Sequence, residues 1–401
     1  MSDLTTIDLF AGAGGITEGF RQAGYRCLFG NDFSAPAMET FQLNHPDALT
    51  ECCGIENLDP VAIRKRLGLR RGELAALVGG PPCQGFSINA PDRYLEDPRN
   101  SMFKHYLRFV DEFAPSVFLF ENVPGMLSLD GGKVFGTIID EFQRRGYRTS
   151  AQILLAAHYG VPQTRWRTII LGSRTGEAPP HPEPTHFYES RPNFKGGSTI
   201  AKRLVPLDEF RLLPAVTLRD AISDLPPVLR GEGTEVASYP RKRPSSAFAK
   251  SMREGATDLF NHTANAITGV NLERLKHIPS GGAWTSIPFD LLPEGMKKAR
   301  RSDHTKRYGR PGWNELSGTV LTKCDPHWGA VFHPDQDRTF TVRECARFQS
   351  FPDRYCFHGP RVSQYAQVGN AVPVLMARAI AQCIKEAFTN TSAIRPKGVT
   401  L

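Results

Sequence analysis

The chain has 401 residues, of which 40% are hydrophobic and 22% charged, an ordinary globular composition with enough length for two domains. It contains no apolar run near the ~18 residues that a membrane-spanning helix needs. Its first residues lack the basic and apolar regions of a secretory signal. The eight cysteines include no C-x-x-C pair, which argues against a zinc ribbon or a thioredoxin motif. We therefore expect an intracellular protein with reduced thiols.

The net charge of +8 is concentrated in one segment. Residues 195–310 hold 20 Lys and Arg against 12 Asp and Glu, whereas the rest of the chain is balanced. A neutral body with one basic segment is typical of a polyanion-binding region attached to a domain with a different function. A solvated basic surface fits the same numbers.

Up to about residue 175 the chain alternates strand-like and helix-like segments. Strands are predicted at 4–10, 26–30, 74–78, 116–120 and 168–172, and helices at 15–23, 35–43, 101–112 and 134–145. This alternation predicts an α/β fold with a doubly wound parallel sheet. A Pro- and His-rich stretch at 177–192 is interpreted as a linker. The chain is then irregular to about residue 359, and a last amphipathic helix is predicted at 371–388.

A glycine-rich loop, Ala11 to Gly15, joins the first predicted strand to the first helix. Glycines allow a tight turn and a close approach to a ligand at the N-terminus of the helix. Asp32 ends the second strand, where an acid can bind ribose hydroxyls. The G-x-G-x-x-G fingerprint fails at Thr17, so S-adenosylmethionine, a nicotinamide cofactor and a plain tight turn all stay open.

Two further chemical groups follow predicted strands. Cys83 stands in the loop GGPPCQGFS (79–87), where two prolines stiffen the backbone before the thiol. Glu121 directly follows the strand at 116–120, and both residues are expected at the ligand-binding edge of the sheet. A buried structural cysteine and a capping or surface acid are the plainer interpretations. Gln163, Arg165 and Arg167 alternate before the last strand and are expected to point to one side.

In this order, the segments resemble the DNA (cytosine-5) methyltransferase family, and most closely its bacterial restriction-modification enzymes. The matching segments are DLFAGAGG (8–15), GGPPCQGFS (79–87), ENV (121–123), QTRWR (163–167), RECARFQSFP (343–352) and QVGNAV (367–372). The resemblance extends over nearly the whole chain.

The resemblance implies a Rossmann-like, S-adenosylmethionine-dependent catalytic and cofactor-binding domain at 1–178 and 360–401. It also implies a smaller, irregular target-recognition domain at 179–359, in the region where the basic surplus lies. The C-terminal helix is expected to return to the large domain. In the RECARFQSFP segment, we expect Phe348 and Phe351 in the core and Arg343, Glu344 and Arg347 in an internal ion-pair network.

The implied reaction transfers a methyl group from S-adenosylmethionine to C5 of a cytosine within a short double-stranded DNA sequence. The Cys83 thiolate adds to C6 of a flipped-out base, Glu121 contacts N3 and the exocyclic amine, and Arg165 contacts the base. Gln84, Ser87, Arg99 and Arg167 are weaker candidates for DNA contact.

The resemblance also implies a set of cofactor-binding residues. These are Phe10, Gly12, Gly14, Asp32, Phe33, Ile55, Pro82, Asn370 and Val372. The family commonly has an acid before the isoleucine of its third cofactor motif, whereas this chain has Gly54. Glu51 and Glu56 are the candidates to replace that acid.

Three alternatives remain: an RNA cytosine-5 methyltransferase of the same fold, a catalytically silent DNA-binding homologue, and a nicotinamide oxidoreductase. The long basic segment argues against the first, the presence of Cys83 and Glu121 against the second, and the failed fingerprint against the third. We expect a cytoplasmic bacterial monomer, associated with the nucleoid through DNA. We expect no metal and no membrane association. A paired restriction endonuclease is a further expectation, and the recognition sequence is not readable from the chain.

Overall fold

In the computed structural model, the residues described are 4–82, 101–190, 202–205, 207, 211–239 and 243–393. The chain divides into two compact units. Unit 1 comprises Met1–Tyr159, Trp166–Leu212 and Val374–Leu401, and unit 2 comprises Gly160–Arg165 and Leu213–Pro373. Cys83, Gln84, Ser87 and Arg99 lie outside the described residues.

Unit 1 is built on a seven-stranded sheet of order β3-β2-β1-β4-β5-β7-β6. Its strands are β1 Thr5–Leu9, β2 Arg26–Asp32, β3 Leu49–Cys52, β4 Ala76–Gly79, β5 Val117–Asn122, β6 Arg148–Leu155 and β7 Trp166–Ser173. The chain order reverses between β1 and β4, which in open α/β sheets marks the ligand-binding crevice. The short strand β8, His186–Phe187, also belongs to this unit.

The helices of unit 1 alternate with these strands. They are α1 Gly15–Gln22, α2 Ala35–Asn44, α3 Pro60–Arg66, α4 Ser101–Phe113 and α5 Lys133–Arg144, with 3-10 turns at Ile55–Asn57, Pro124–Gly132 and Ala156–Tyr159. The main core lies between helices and sheet, where the rings of Phe118 and Phe142 stack with centroids 3.8 Å apart. The buried Tyr106 hydroxyl lies within hydrogen-bond distance of the Leu77 and Leu119 carbonyls, at 3.1 and 3.0 Å, which links α4 to β4 and β5.

The α/β fold with a doubly wound, mainly parallel sheet is confirmed, and one edge of the sheet is antiparallel. Strand β7 pairs antiparallel with both β5 and β6. Strands β3 and β6 were not predicted, because each lies at an edge and carries a mixed polar sequence, LTEC and RTSAQILL, instead of an apolar run.

The chain returns to unit 1 through its last long helix, α12, Val374–Ala393. This helix packs so closely on α1 that a Cβ on Gly19 would lie 2.5 Å from Ala377 Cβ and 2.7 Å from the Val374 carbonyl oxygen. The expected return of the C-terminal helix is therefore confirmed. No helix in the described ranges is both long and apolar enough to cross a membrane.

Unit 2 is made of short elements around buried polar and apolar clusters. Its strands are β9 Leu213–Pro214, β10 Gly233–Ser238 and β11 Asp258–Thr263, of which β10 and β11 form an antiparallel pair. Its helices are α6 Leu218–Ile222, α7 Ala247–Met252, α8 Gly269–Lys276, α9 Glu294–Lys297, α10 Val342–Phe348 and α11 Arg361–Asn370. One apolar cluster gathers Trp284, Met296, Tyr308 and Phe332.

The bounds of the two units differ from the expected domain limits. The chain enters the body of unit 2 at Leu213 instead of residue 179 and leaves it after Pro373 instead of residue 359. The stretch at 177–192, which was interpreted as a linker, belongs to unit 1 and is held there by hydrogen bonds. The Tyr159 hydroxyl donates to the Pro182 carbonyl at 3.0 Å, and the Thr185 amide donates to the His158 carbonyl at 2.8 Å.

Candidate active site

The loop after β1 takes an unusual backbone path. Phe10, Gly12 and Gly14 all have positive φ, at 58°, 54° and 87°. Such values are rare for a residue with a side chain, so Phe10 holds a strained conformation at the end of a fully buried strand. Gly14 is the N-cap of α1, and no atom lies within 4 Å of where a Cβ on Gly12 would stand. The loop therefore leaves open space beside its backbone.

Asp32, the last residue of β2, ties this loop to the next turn. Its carboxylate accepts from the Gly12 amide at 3.0 Å and from the Ser34 amide at 2.9 Å. Burial raises the pKa of Asp32, and the backbone hydrogen bonds oppose that rise. Phe33 follows with 77% of its surface exposed, whereas Phe10 is half-buried against the core. A fixed carboxylate and an exposed aromatic ring thus lie at adjacent positions at the carboxyl end of β2.

In the turn after β3, the Glu56 carboxylate fills the space that a side chain at position 54 would occupy. A Cβ on Gly54 would lie 2.2 Å from Glu56 Oε1, so the Glu56 carboxylate occupies the space in which a side chain at position 54 would begin. Ile55 between them is buried in the core of unit 1. Glu51 is engaged elsewhere, because it pairs with Arg66 at 2.8 Å.

Glu121 and Arg167 form an ion pair at the ends of β5 and β7. Arg167 Nε lies 2.6 Å from Glu121 Oε1, and both side chains are largely buried. Glu121 is opposite Ile169 in the antiparallel register, so Arg167, two residues earlier on β7, is its diagonal neighbour on the same face. A Cβ on Gly80 would lie 2.7 Å from Glu121 Oε2. The carboxylate therefore lies against the backbone three residues before Cys83.

Asn122 anchors the beginning of the cysteine loop. Its buried side-chain amide donates to the Pro81 carbonyl at 3.0 Å, which joins the end of β5 to the loop after β4. The next residue, Pro82, is exposed. Asn122 was not predicted as a site residue, although its place in the ENV segment was a signal for it.

The alternation predicted that Gln163, Arg165 and Arg167 point to one side, but Gln163 and Arg165 contact different residues from Arg167. Both are buried in unit 2. Gln163 donates to the Phe348 carbonyl at 2.9 Å and to Gln349 Oε1 at 2.8 Å. Arg165 donates to the Gly369 carbonyl at 2.8 Å and to the Val320 carbonyl at 3.3 Å. Arg167 belongs instead to β7 of unit 1.

The QVGNAV segment joins the same polar network. Gln349 donates to the carbonyls of Val368 at 2.7 Å and Ala371 at 2.9 Å. A Cβ on Gly369 would lie 2.4 Å from the Leu321 carbonyl oxygen, so only glycine permits this close approach. Of the predicted cofactor residues in this segment, Asn370 is exposed and Val372 is buried.

The RECARFQSFP segment is a structural core, as predicted. Phe348 and Phe351 are fully buried. Glu344 accepts from Arg338 at 2.7 and 2.8 Å and also caps helix α10 through the Thr341 amide at 2.8 Å. The positive charge and the hydrogen bonds of Arg338 lower the pKa of Glu344 against the effect of burial.

Thr17 explains the failed nucleotide fingerprint. Its buried hydroxyl donates to Asp8 Oδ2 at 2.6 Å, a contact that glycine at this position would not make. Burial raises the pKa of Asp8 to about 7.

Among the described residues, no group of three His, Cys, Asp or Glu side chains is arranged to hold a metal ion.

A family model described as C-5 cytosine-specific DNA methylase matches residues 4–386. The chain belongs to this family. The matched range includes the glycine-rich loop after β1, the Glu121–Arg167 pair and the polar network of unit 2. The predicted resemblance is confirmed, and the protein is a DNA cytosine-5 methyltransferase.

Curated bacterial relatives match this methyltransferase over nearly their whole length. The Type II methyltransferase M.AgeI of Thalassovita gelatinovora is 36% identical over 435 aligned positions, which cover 96% of this chain and 100% of that protein. The Type II methyltransferase M.DdeI of Desulfomicrobium norvegicum is 33% identical, and its alignment covers 99% of this chain and 92% of that protein.

Solved structures share the fold of this methyltransferase. One described as a DNA modification methyltransferase encoded within an Escherichia coli prophage aligns with a TM-score of 0.70 at 22% identity, covering 96% of this chain and 99% of its own. Spodoptera frugiperda DNMT2 aligns with a TM-score of 0.58 at 15% identity, covering 95% and 99%. At these identities the likeness concerns the fold alone.

Proposed function

We propose that the methyltransferase transfers a methyl group from S-adenosylmethionine to C5 of a cytosine within a specific short double-stranded DNA sequence, with Cys83 as the nucleophile. The observation that carries this proposal is the position of the Glu121 carboxylate. Arg167 holds it against the Gly80 backbone, three residues before Cys83. A thiol and an oriented carboxylate at one sheet edge are what addition to a pyrimidine requires.

The residues after β1 and β2 fit the adenosyl part of the methyl donor. Open space beside Gly12 admits a ligand close to the backbone. The Asp32 carboxylate accepts the Gly12 and Ser34 amides on different oxygens and keeps lone pairs for ribose hydroxyls. The exposed Phe33 ring offers a face to adenine. When bound, the sulfonium of the donor supplies an electrophilic methyl group. Further residues proposed to line the site are Phe10, Gly14, Ile55, Pro82, Asn370 and Val372.

Glu56 is proposed as the acceptor for the adenine amine. Its carboxylate lies over Gly54, where the family's acid would begin, whereas Glu51 is paired with Arg66. Glu56→Ala is expected to weaken S-adenosylmethionine binding about 10-fold or more, because a charged hydrogen bond is lost. Glu51→Ala is the matched control and should bind normally in calorimetry. Equal loss in the two variants would contradict the assignment.

On the base, the thiolate of Cys83 would form a bond to C6 and move electron density to C5. Glu121 would hydrogen-bond the N3 and amine edge and stabilise that charge. After C5 is methylated, loss of its proton to a base and elimination of the thiolate restore the aromatic ring. Since a duplex hides C6, the cytosine must be flipped out. Arg165 is proposed to support the base pocket through its hydrogen bond to the Gly369 carbonyl.

Unit 2 is proposed to recognise the DNA target, because it contains most of the basic surplus. Gln84, Ser87 and Arg99 remain proposed DNA contacts, whereas the ion pair of Arg167 with Glu121 favours a supporting role for Arg167. The similarity to Type II methyltransferases supports a partnership with a restriction endonuclease. We propose that the enzyme acts as a monomer, since one chain carries every motif.

The test is expression in a bacterial host without cytosine methylation, followed by bisulfite sequencing of its genome. Complete 5-methylcytosine at one short motif is expected, with none in Cys83→Ser. Cys52→Ser, at an exposed thiol, is the matched control and should stay active. Unmodified DNA with methylated RNA would replace the proposal by an RNA methyltransferase. Specific DNA binding without methylation would replace it by a silent homologue.

A further inference from the structure

One buried side-chain amide lies where the second and third strands of unit 1 end. Asn31 is the second-last residue of β2, directly before Asp32, and it is buried. Its side-chain nitrogen donates to the Glu51 carbonyl and to the Cys53 carbonyl, each at 2.9 Å. Carbonyl oxygens only accept hydrogen bonds, so the amide presents its nitrogen and uses both of its N–H groups.

These two hydrogen bonds extend beyond the pairing of the strands. The backbone pairing of β2 with β3 ends at Cys52, whereas the Asn31 side chain reaches Cys53, the first residue after β3. The Cys53 carbonyl belongs to the peptide bond that enters Gly54. The amide therefore fixes the beginning of the turn that carries Gly54 and Glu56.

The backbone of the same residue holds the glycine-rich loop after β1. The Ala11 amide donates to the Asn31 carbonyl at 2.9 Å, and the neighbouring Asp32 carboxylate accepts from the Gly12 amide at 3.0 Å. Asn31 thus contacts this loop through its main chain and the turn after β3 through its side chain. A substitution of the side chain tests the second contact alone, because every residue supplies the same main-chain carbonyl.

We propose that Asn31 is a positioning residue for the methyl donor, which sets the Glu56 carboxylate against the adenine amine. The inference rests on the proposed use of S-adenosylmethionine with Glu56 as the acceptor, and it adds how that acceptor is held. Because position 54 has no side chain, the acid comes from Glu56, on the short 3-10 turn Ile55–Asn57. Hydrogen bonds weaken steeply as their angle changes, so a turn that has lost the Asn31 amide should bind adenine less well.

A comparison of two ligands separates positioning from general stability. S-Adenosylhomocysteine, the product that remains after methyl transfer, is compared by calorimetry with its analogue that carries unsubstituted purine in place of adenine. Wild type is expected to prefer the adenine ligand about 10-fold or more, because the purine ligand has no amine for Glu56. Asn31→Ala should bind the adenine ligand about 5-fold or more weakly than wild type and the purine ligand within about 2-fold of it. An equal loss for both ligands would show general loosening of unit 1 and would overturn the proposal.

A double-mutant cycle tests whether Asn31 acts through Glu56. Asn31→Ala in the Glu56→Ala background is expected to lower the affinity no further, because the acceptor that it positions is gone. Additive losses would refute the proposal. Asn44→Ala is the matched control, since that side-chain amide also donates to a backbone carbonyl, of Thr40 at 2.7 Å, at the far end of α2. It should bind both ligands like wild type.

A second variant answers the same question if Asn31→Ala does not fold. Asn31→Asp keeps the shape of the side chain and loses the donor, so the same loss of preference for adenine is expected. A folded variant that keeps the wild-type preference contradicts the positioning role and leaves the proposed function standing, because genomic methylation reports that function separately. A wild type that binds neither ligand would overturn the proposed use of S-adenosylmethionine and this inference together.

Discussion

Removal of Arg347 should strongly destabilise unit 2, because it leaves two buried carboxylates, Asp224 and Asp353, without their closest cation. Arg347 Nη2 lies 2.6 Å from Asp353 Oδ2, and its Nη1 pairs with Asp224. Its guanidinium also donates to the Ala221 carbonyl at 2.8 Å, so all three of its nitrogens are engaged. The pKa of Asp353 is held below its usual range mainly by Arg347. The cluster is thus charged and buried, and every nitrogen of the Arg347 guanidinium donates a hydrogen bond.

The expected size follows from this burial. Breaking a buried ion pair by removal of one partner costs about 3–5 kcal/mol. At about 2–4 °C per kcal/mol for a unit of this size, Arg347→Ala should lower the Tm of the unit 2 transition by about 6–20 °C in differential scanning calorimetry. Lys276→Ala, which removes an exposed pair with Glu273 in the same unit, is the control and should melt like wild type. An Arg347→Ala melt that coincides with this control would refute the reasoning.

Three further outcomes are expected. Gly369→Ala should lower Tm by several degrees, because its Cβ would lie 2.4 Å from the Leu321 carbonyl oxygen; an unchanged melt would show that the backbone yields. Gly80→Ala should reduce kcat with little change in Tm, because its Cβ would displace the Glu121 carboxylate; full activity in a methyl-transfer assay would argue against that carboxylate. The pKa of Asp8, raised to about 7 by burial, makes the folded state hold a proton that the unfolded state releases near 3.8. Stability should therefore fall as pH rises from about 4 to 7, and Asp8→Asn should flatten this dependence of Tm on pH.

The central elements of unit 1 were predictable because hydrophobic pattern and turn chemistry agree there. The strand at 4–10, the glycine loop and the helix at 15–23 correspond to β1, the positive-φ turn and α1. The edge strands were not predictable from a short polar sequence such as LTEC, because its strand character comes from pairing with β2. The reversed direction of β7 depends on the β6–β7 hairpin, which no local pattern encodes.

At the candidate site, spacing predicted where residues lie in the sheet better than it predicted what they contact. Glu121 was expected at a sheet edge, and it lies there. Its pairing with Arg167, and the separation of Arg165 from that arginine, depend on where the chain passes from one compact unit to the other. The role of Gly54 was also hidden, since it depends on how the Glu56 side chain folds back.

The basic surplus at 195–310 illustrates the same limit for electrostatics. Composition counts charges but does not say which are already neutralised. Arg310 is buried and pairs with Asp337, Arg274 donates to the Leu291 carbonyl at 2.6 Å, and Arg253 lies 3.6 Å from Asp224. These arginines add to the net charge but act mainly within the fold. The charge that is free to meet phosphates is therefore smaller than the composition of the segment indicates, and the salt dependence of DNA binding should reflect only the cations without a partner in the fold.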